Sequence, residues 1–386
     1  MGKRYTAPTG IHGVRRRWMR SLLHRLSPPV MARGERLPVL GVHRILVCRT
    51  SHSLGNTLLL TPLLAELERI YPGAEVDIVT QSPLGEALYG SWPSVRRILR
   101  LPSRFPPHLP WTLRVLRQMR AVTYDLAIDP DPQSKTGRLL LRMACATRKL
   151  GYVSAEKHGD VTHGVEVGTA ARHVGQVPVF LLRAATGRRI DHAYPRADIR
   201  LDAEESAMGY GRLQRVLGRP DEGVAARPVI GVFANATGAK RLEQAWWFAM
   251  LDRLQALLPG HDIVEFIPMH GASILDDRFP ALYSCNLRRF AACARHLDAF
   301  VSADCGPMHL AWSTGTPTFG VFVTTDRDEW GPFGDNGQVI DGGKHTPEDV
   351  AAMIARERGR AATERPVPTS AEAAHAYGRI LSQARR

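Results

Sequence analysis

Arg44-Ile45-Leu46-Val47-Cys48 is a short apolar run with strand character. A Ser/Gly-rich turn follows it. Thr57 to Ile70 then sets Leu59, Leu60, Leu63, Leu64, Leu67 and Ile70 at helical spacing. Pro72-Gly73 breaks that helix, and Val76 to Thr80 reads as a second strand. Outward from there the rhythm repeats: helix 84–89, strand 95–99, helix 109–119, strand 125–129, helix 134–146. Strands alternating with helices predict βαβ units and a parallel sheet.

Residues 152–175, rich in Gly, His and charge, read as loop, and 177–186 and 203–217 as helices. The alternation then restarts with strands at 229–233, 262–267, 299–302 and 318–323. Helices at 243–258, 288–296 and 307–314 lie between them. Thr346-Pro347-Glu348-Asp349 opens a further helix, and Thr369-Ser370-Ala371-Glu372 is a capping box for a terminal one. The expected fold class is α/β, with two doubly wound Rossmann-like domains facing a cleft. Its parts are an arm (1–40), a first domain (41–225), a second (226–345) and C-terminal helices (346–386).

The chain has 386 residues, is 44% hydrophobic and 23% charged, and so can bury a sizeable core. No apolar run reaches the roughly 18 residues of a membrane-spanning helix, and no h-region follows the basic N-terminus. Five scattered cysteines without a CxxC pair suit a reducing cytoplasm. The net charge is +14, and residues 1–40 hold nine Lys and Arg against Glu35. Within that arm Trp18, Met19, Leu22, Leu23 and Leu26 interleave with Arg15, Arg16, Arg17, Arg20 and Arg25. This reads as a basic amphipathic helix for an anionic membrane surface. The bland alternatives are a solvated extension or a helix packed on its own domain. No RRM, KH or zinc-finger pattern accompanies the charge, so nucleic acid is not an expected partner.

In doubly wound sheets ligands bind beyond the carboxyl ends of the strands, so function is expected on those loops. Ser302-Ala303-Asp304-Cys305-Gly306-Pro307-Met308-His309 follows a strand and opens a helix, a place where free N–H groups favour phosphate. An ordinary Asp-capped turn is the competing reading. Thr237-Gly238-Ala239-Lys240-Arg241 can clasp a diphosphate through amides and Lys240, although it is no Walker A loop. Arg49-Thr50-Ser51-His52-Ser53-Leu54-Gly55-Asn56 lacks a dinucleotide fingerprint. Asp129-Pro130-Asp131, with Lys135 after it, can hold a divalent metal or simply be an acidic turn. His52 and His309 could move protons, but a lone histidine of this kind is more often structural.

Together these segments resemble glycosyltransferase family 9, the ADP-heptose–lipopolysaccharide heptosyltransferases. Leu54-Gly55-Asn56-Thr57-Leu58-Leu59-Leu60-Thr61-Pro62-Leu63-Leu64 is similar to its L-G-D-x-L-x-x-T-P-L-L opening. Asp304 to Leu310 is similar to its D-T-G-P-M-H-L. Gly315-Thr316-Pro317, Trp330-Gly331-Pro332 and the Lys240 to Trp247 spacing match further elements in order. The resemblance implies a GT-B fold and inverting transfer without a metal or other cofactor. It implies a donor site at Thr237, Gly238, Lys240, Asp304, Cys305, Gly306, Pro307, Met308 and His309. The acceptor side falls to Arg49, Ser53, Gly55 and Lys135. The implied partners are a nucleotide sugar, with ADP-heptose foremost, and an anionic inner-core lipopolysaccharide precursor at the cytoplasmic face of the inner membrane.

Two positions depart from the family pattern. Asn56 stands where the family has its Asp, the expected general base, and an amide has no useful basicity. Cys305 replaces a Thr. Pro268-Met269-His270-Gly271 also stands where a Gly-rich turn is usual. Asn56 leaves three readings: His52 as base, another carboxylate (Asp129 or Asp131) as base, or a weak or inactive relative that binds a nucleotide sugar or lipopolysaccharide precursor.

Overall fold

The computed structural model describes residues 35–102, 108–154, 157, 159–167, 171–219 and 227–364. The helix expected within the arm and the one expected from Thr369 lie outside the described residues.

The first sheet and its helices comprise β1 (Arg44–Arg49), α1 (Leu54–Leu58), α2 (Thr61–Ile70), β2 (Glu75–Thr80), α3 (Gly85–Tyr89) and β3 (Val95–Arg100). They continue with α4 (Leu109–Arg120), β4 (Tyr124–Asp129), α5 (Lys135–Met143), β5 (Ala146–Val153) and β6 (His163–Glu166). All six strands pair in parallel in the order β3-β2-β1-β4-β5-β6. In β1 the residues from Ile45 to Arg49 are all buried, as expected of a parallel strand covered on both faces.

Two helices, α6 (Val177–Thr186) and α7 (Ala203–Val216), lead to the second sheet. Its elements are β7 (Val229–Phe233), a 3₁₀ turn (Gly238–Lys240), α8 (Gln244–Leu257), β8 (Asp262–Ile267), β9 (Ala281–Tyr283) and α9 (Leu287–Ala294). After them come β10 (Ala299–Ala303), α10 (Gly306–Trp312), β11 (Thr318–Phe322), α11 (Arg327–Trp330), β12 (Gly337–Asp341) and α12 (Pro347–Glu364). The order is β12-β11-β10-β7-β8-β9, again all parallel. Counted from its own first strand, each sheet has the order 3-2-1-4-5-6. Each therefore has one switch point, at β1/β4 and at β7/β10, where a crevice opens.

The single helix expected over 57–70 is two helices. Pro62 has no N–H to donate to the Leu58 carbonyl, so the ladder stops there. The Thr61 hydroxyl takes that carbonyl instead, at 2.8 Å. Four strands, β5, β6, β9 and β12, stand where loop, helix end or nothing was expected. β5, β6 and β12 carry polar residues and glycine, β9 has only three residues, and all four lie toward the sheet edges, where a continuous apolar run is not required.

In the second domain Trp247, Met250, Leu251 and Leu254 of α8 bury with Val350, Ala351 and Ile354 of α12. A second cluster runs from the α1, α2 and α6 side of the first sheet to Phe266, Phe290, Phe300 and Trp312 of the second. α7 closes onto α9 so tightly that a Cβ on Gly209 would stand 2.3 Å from the Ala292 carbonyl. Arg288 of α9 pairs with Glu205 of α7 at 2.5 Å and donates to the Ala87 carbonyl of α3 at 3.0 Å. Among the described residues no helix is long and apolar enough to cross a membrane.

Candidate active site between the two switch points

In the first sheet the loops after β1 and β4 are tied together. Arg49 Nη1 lies 3.1 Å from Asp131 Oδ2, and the Thr50 and Ser134 hydroxyls are 3.0 Å apart. Asp131 Oδ1 accepts from the N–H groups of Gln133 and Ser134, so both carboxylate oxygens are engaged. Ser53 is the N-cap of α1 and accepts from the N–H of Asn56, which sits in the first turn with its side chain half-buried. His52 is exposed, just before that cap. Lys135 is half-buried at the start of α5. Arg49, expected to meet an acceptor, is only 5% exposed and is spent on Asp131, so it positions the loop.

Asp129 corrects the expectation of an alternative base. It is fully buried, with Oδ2 2.7 Å from Lys157 Nζ and 3.2 Å from Arg138 Nε. Burial pushes its pKa up while the two cations oppose that. A carboxyl with no exposed surface does not reach an acceptor hydroxyl. Its role in the fold is to neutralise two buried cations beneath the loop. The same burial removes the pairing of Asp129 with Asp131 as a metal site, because Asp131 faces Arg49 instead.

In the second sheet the loops after β7 and β10 are joined by Lys240 Nζ and Asp304 Oδ2, 2.8 Å apart. Lys240 is part-exposed on the 3₁₀ turn; Asp304 is nearly buried. Gly238 has φ +61°, a left-handed conformation that glycine tolerates and that turns the chain back toward Asp304. Thr237 precedes that turn, and its side chain makes no cap to it.

Cys305 is the N-cap of α10 but supplies no capping oxygen. Burial pushes its thiol up to about 11, so it stays a neutral thiol near pH 7. Gly306 and Pro307 form the first turn. Met308 and His309 were expected to contact the donor, but both side chains are buried, 0% and 3% exposed, and so belong to the core. Burial and the neighbouring His173 push His309 down to about 4, leaving it neutral and unsuited to proton transfer near pH 7. His173 is likewise at about 4. Its Nδ1 accepts from the Gly175 N–H, and its Nε2–H donates 2.7 Å to the Gly331 carbonyl.

α1 and α10 bring the two sites together. A Cβ on Gly55 would stand 2.9 Å from His309 Cδ2, and one on Gly306 would stand 2.9 Å from Leu54 Cβ. Gly55 is therefore filled by the seam between domains and has no room for an acceptor.

Arg241, the residue after Lys240, lines an open cavity of 340 Å³ together with Asn235, Gln244, His270, Ala272, Ser273 and Ile274. Glu265, buried on β8, anchors its far wall by accepting from Ser273 Oγ at 2.6 Å and from the Ile274 N–H at 3.0 Å. Gln244, Ser273 and Ile274 carry no motif. Their only signal in the sequence was a place just beyond a strand or at a helix start.

Residues 279–353 match the profile of glycosyltransferase family 9 (heptosyltransferase). The resemblance to glycosyltransferase family 9 holds. The matched residues take in Asp304 to Leu310, Gly315-Thr316-Pro317 and Trp330-Gly331-Pro332. No curated protein matches the chain by sequence. Among solved structures, the chain is similar to a family 9 glycosyl transferase from Veillonella parvula DSM 2008, with a TM-score of 0.68 and 17% identity over 86% of this chain and 92% of that one. It is also similar to E. coli heptosyltransferase WaaC with ADP, with a TM-score of 0.63 and 20% identity over 82% and 99%. E. coli ADP-heptose lps heptosyltransferase II gives 0.61 and 16% over 82% and 99%. The two-domain GT-B fold is thus shared along nearly the whole of the described chain.

Proposed function

We propose that this protein is an inverting glycosyltransferase that moves a sugar, heptose from ADP-heptose foremost, onto the inner core of a lipopolysaccharide precursor. The single observation that carries the reading is Lys240, held 2.8 Å from Asp304 at the β7/β10 switch point, with the next residue, Arg241, lining an open cavity. The family profile and the solved heptosyltransferases support it. In this reading the nucleoside enters the cavity at Asn235 and His270, and its diphosphate meets Lys240, the Thr237-Gly238 turn and the start of α10. An acceptor hydroxyl, presented from the β1 and β4 loops by Ser53, Lys135 and Asn56, attacks the anomeric carbon from the opposite side. The nucleoside diphosphate leaves as the new bond forms. A lysine and helix N–H groups neutralise that leaving charge, the task a metal ion performs elsewhere. His52 is the exposed imidazole in the acceptor loop and takes the hydroxyl proton.

An anionic membrane surface at the cytoplasmic side, met through residues 1–40, fits a lipid-borne acceptor. Release of ADP from ADP-heptose, dependent on an inner-core acceptor, tests the reading. A folded protein that binds ADP-heptose without acceptor-dependent release favours the second reading, a binding or regulatory relative, for which Asn56 is the specific motive.

A further inference from the structure

From Ala87 to Tyr124 the chain has no acidic residue, while seven arginines fall there: Arg96, Arg97, Arg100, Arg104, Arg114, Arg117 and Arg120. Arg96 and Arg97 are spent on buried Asp77. Arg100, Arg114, Arg117 and Arg120 are exposed, and among the described residues none of them meets a carboxylate. α4 buries Val115 and Met119 against the sheet. Its N-terminal end presents Leu109, Trp111 and Leu113, 44%, 47% and 42% exposed, the two leucines on one side of the helix and Trp111 round on the other. Three large apolar side chains on little more than one turn, bordered by unpaired arginines, are more than the scattered apolar exposure of an ordinary surface.

The position of this end matters as much as its chemistry. β3 ends at Arg100 on the carboxyl edge of the sheet, and the Leu101 N–H donates there to the Thr80 carbonyl at 2.8 Å. α4 is the return from that edge to β4. Its apolar first half therefore lies toward the edge that also carries the His52 and Asp131 loops.

We infer that this N-terminal end of α4 docks end-on on an anionic phospholipid membrane. Leu109, Trp111 and Leu113 would enter the acyl boundary, and the arginines would meet headgroup phosphates. Docked so, the acceptor loops face the lipid surface. This surface is built from residues other than 1–40, and vesicle binding and sugar transfer can fail independently.

The test uses the full chain with Trp18→Phe, which silences the tryptophan of the arm. Vesicles of phosphatidylcholine and phosphatidylglycerol with brominated acyl chains should quench the protein's emission, and pure phosphatidylcholine vesicles should do so far less. Adding Trp111→Phe should remove most of that quenching while leaving flotation with the vesicles. Leu109→Ser/Trp111→Ser/Leu113→Ser should weaken partitioning at least about tenfold, and Arg114→Gln/Arg117→Gln/Arg120→Gln roughly a hundredfold at low salt. Equal quenching with and without Trp111 overturns the inference, as does undiminished flotation of the triple serine variant. So does a vesicle-free dimer of the wild type that the triple serine variant abolishes, for then a second copy covers this end.

Discussion

Gly55 of α1 rests against the imidazole of His309 on α10, so that the shortest side chain of one domain's signature meets a buried ring of the other's. Gly306 and Leu54 repeat the arrangement in reverse. Gly55→Ala should therefore destabilise the protein by about 1–3 kcal/mol, the usual cost of overpacking. Helix propensity alone would favour alanine by about 1 kcal/mol, which makes the sign informative. In urea unfolding, the Gly55→Ala/His309→Ala double variant should fall short of the sum of the single losses by about 1 kcal/mol. Additive losses would mean that the two residues do not touch in solution.

Lys240 and Asp304 make a second prediction. In the free protein the lysine charge is balanced by a carboxylate, which also repels an incoming diphosphate. Lys240→Ala should weaken ADP binding by about 1.5–3 kcal/mol, the scale of a hydrogen bond to a charged group. Asp304→Asn should tighten it. Calorimetric titration with ADP decides. Weaker binding by Asp304→Asn would make that carboxylate a direct ligand for the nucleotide and not the lysine's counter-ion.

The doubly wound pattern was legible because buried parallel strands are runs such as Val229-Ile230-Gly231-Val232-Phe233, bounded by turn residues. β5 was hidden because Thr147, Arg148 and Lys149 break its apolar run, and β9 because three residues carry no period. The loops of the site were legible for the same geometric reason, as each follows a strand. Which residues in them are exposed was not. Nothing local distinguishes Asp129, sealed under Arg138 and Lys157, from Asp131 two residues on. Lys157 comes from a segment 28 positions away in sequence. Likewise, only the closing of α1 on α10 makes Gly55 and His309 neighbours.

Acid should loosen this seam. His173 and His309 are each held down at about 4, against 6.5 in an unfolded chain. The folded state then binds fewer protons than the unfolded state between those values. The stability contributed by keeping the rings neutral is complete above about pH 6.5 and is lost as pH falls toward 4. At about 1.4 kcal/mol per unit, each ring taken alone is worth on the order of 3 kcal/mol. Glu66, Glu205 and Asp77, whose pKa values are lowered by arginine partners, add losses only below the ordinary carboxylate range. The urea midpoint should therefore drop between pH 6.5 and 4.5, and less steeply in His309→Gln. A flat wild-type profile in that window would show that the rings are not buried as described.

The last prediction concerns the proton of the acceptor hydroxyl. Asn56 can hold that hydroxyl but cannot take its proton. Asp129 is buried beneath two cations, and both oxygens of Asp131 already accept hydrogen bonds. His52 remains, exposed in the same loop four residues before Asn56. His52→Ala should lower kcat by roughly 10²–10⁴, the range for a positioned general base, with the acid limb of the pH–rate profile removed. Asn56→Asp should keep or raise activity, since it supplies the carboxylate of the family pattern. Asp129→Asn should instead cost about 3–5 kcal/mol of stability, because Arg138 and Lys157 would be left buried and underpaired. A His52→Ala enzyme with wild-type kcat and an unchanged acid limb removes the histidine from the mechanism. If Asn56→Asp is then no faster, Asp131 is the remaining base, and Asp131→Asn should abolish turnover while ADP still binds.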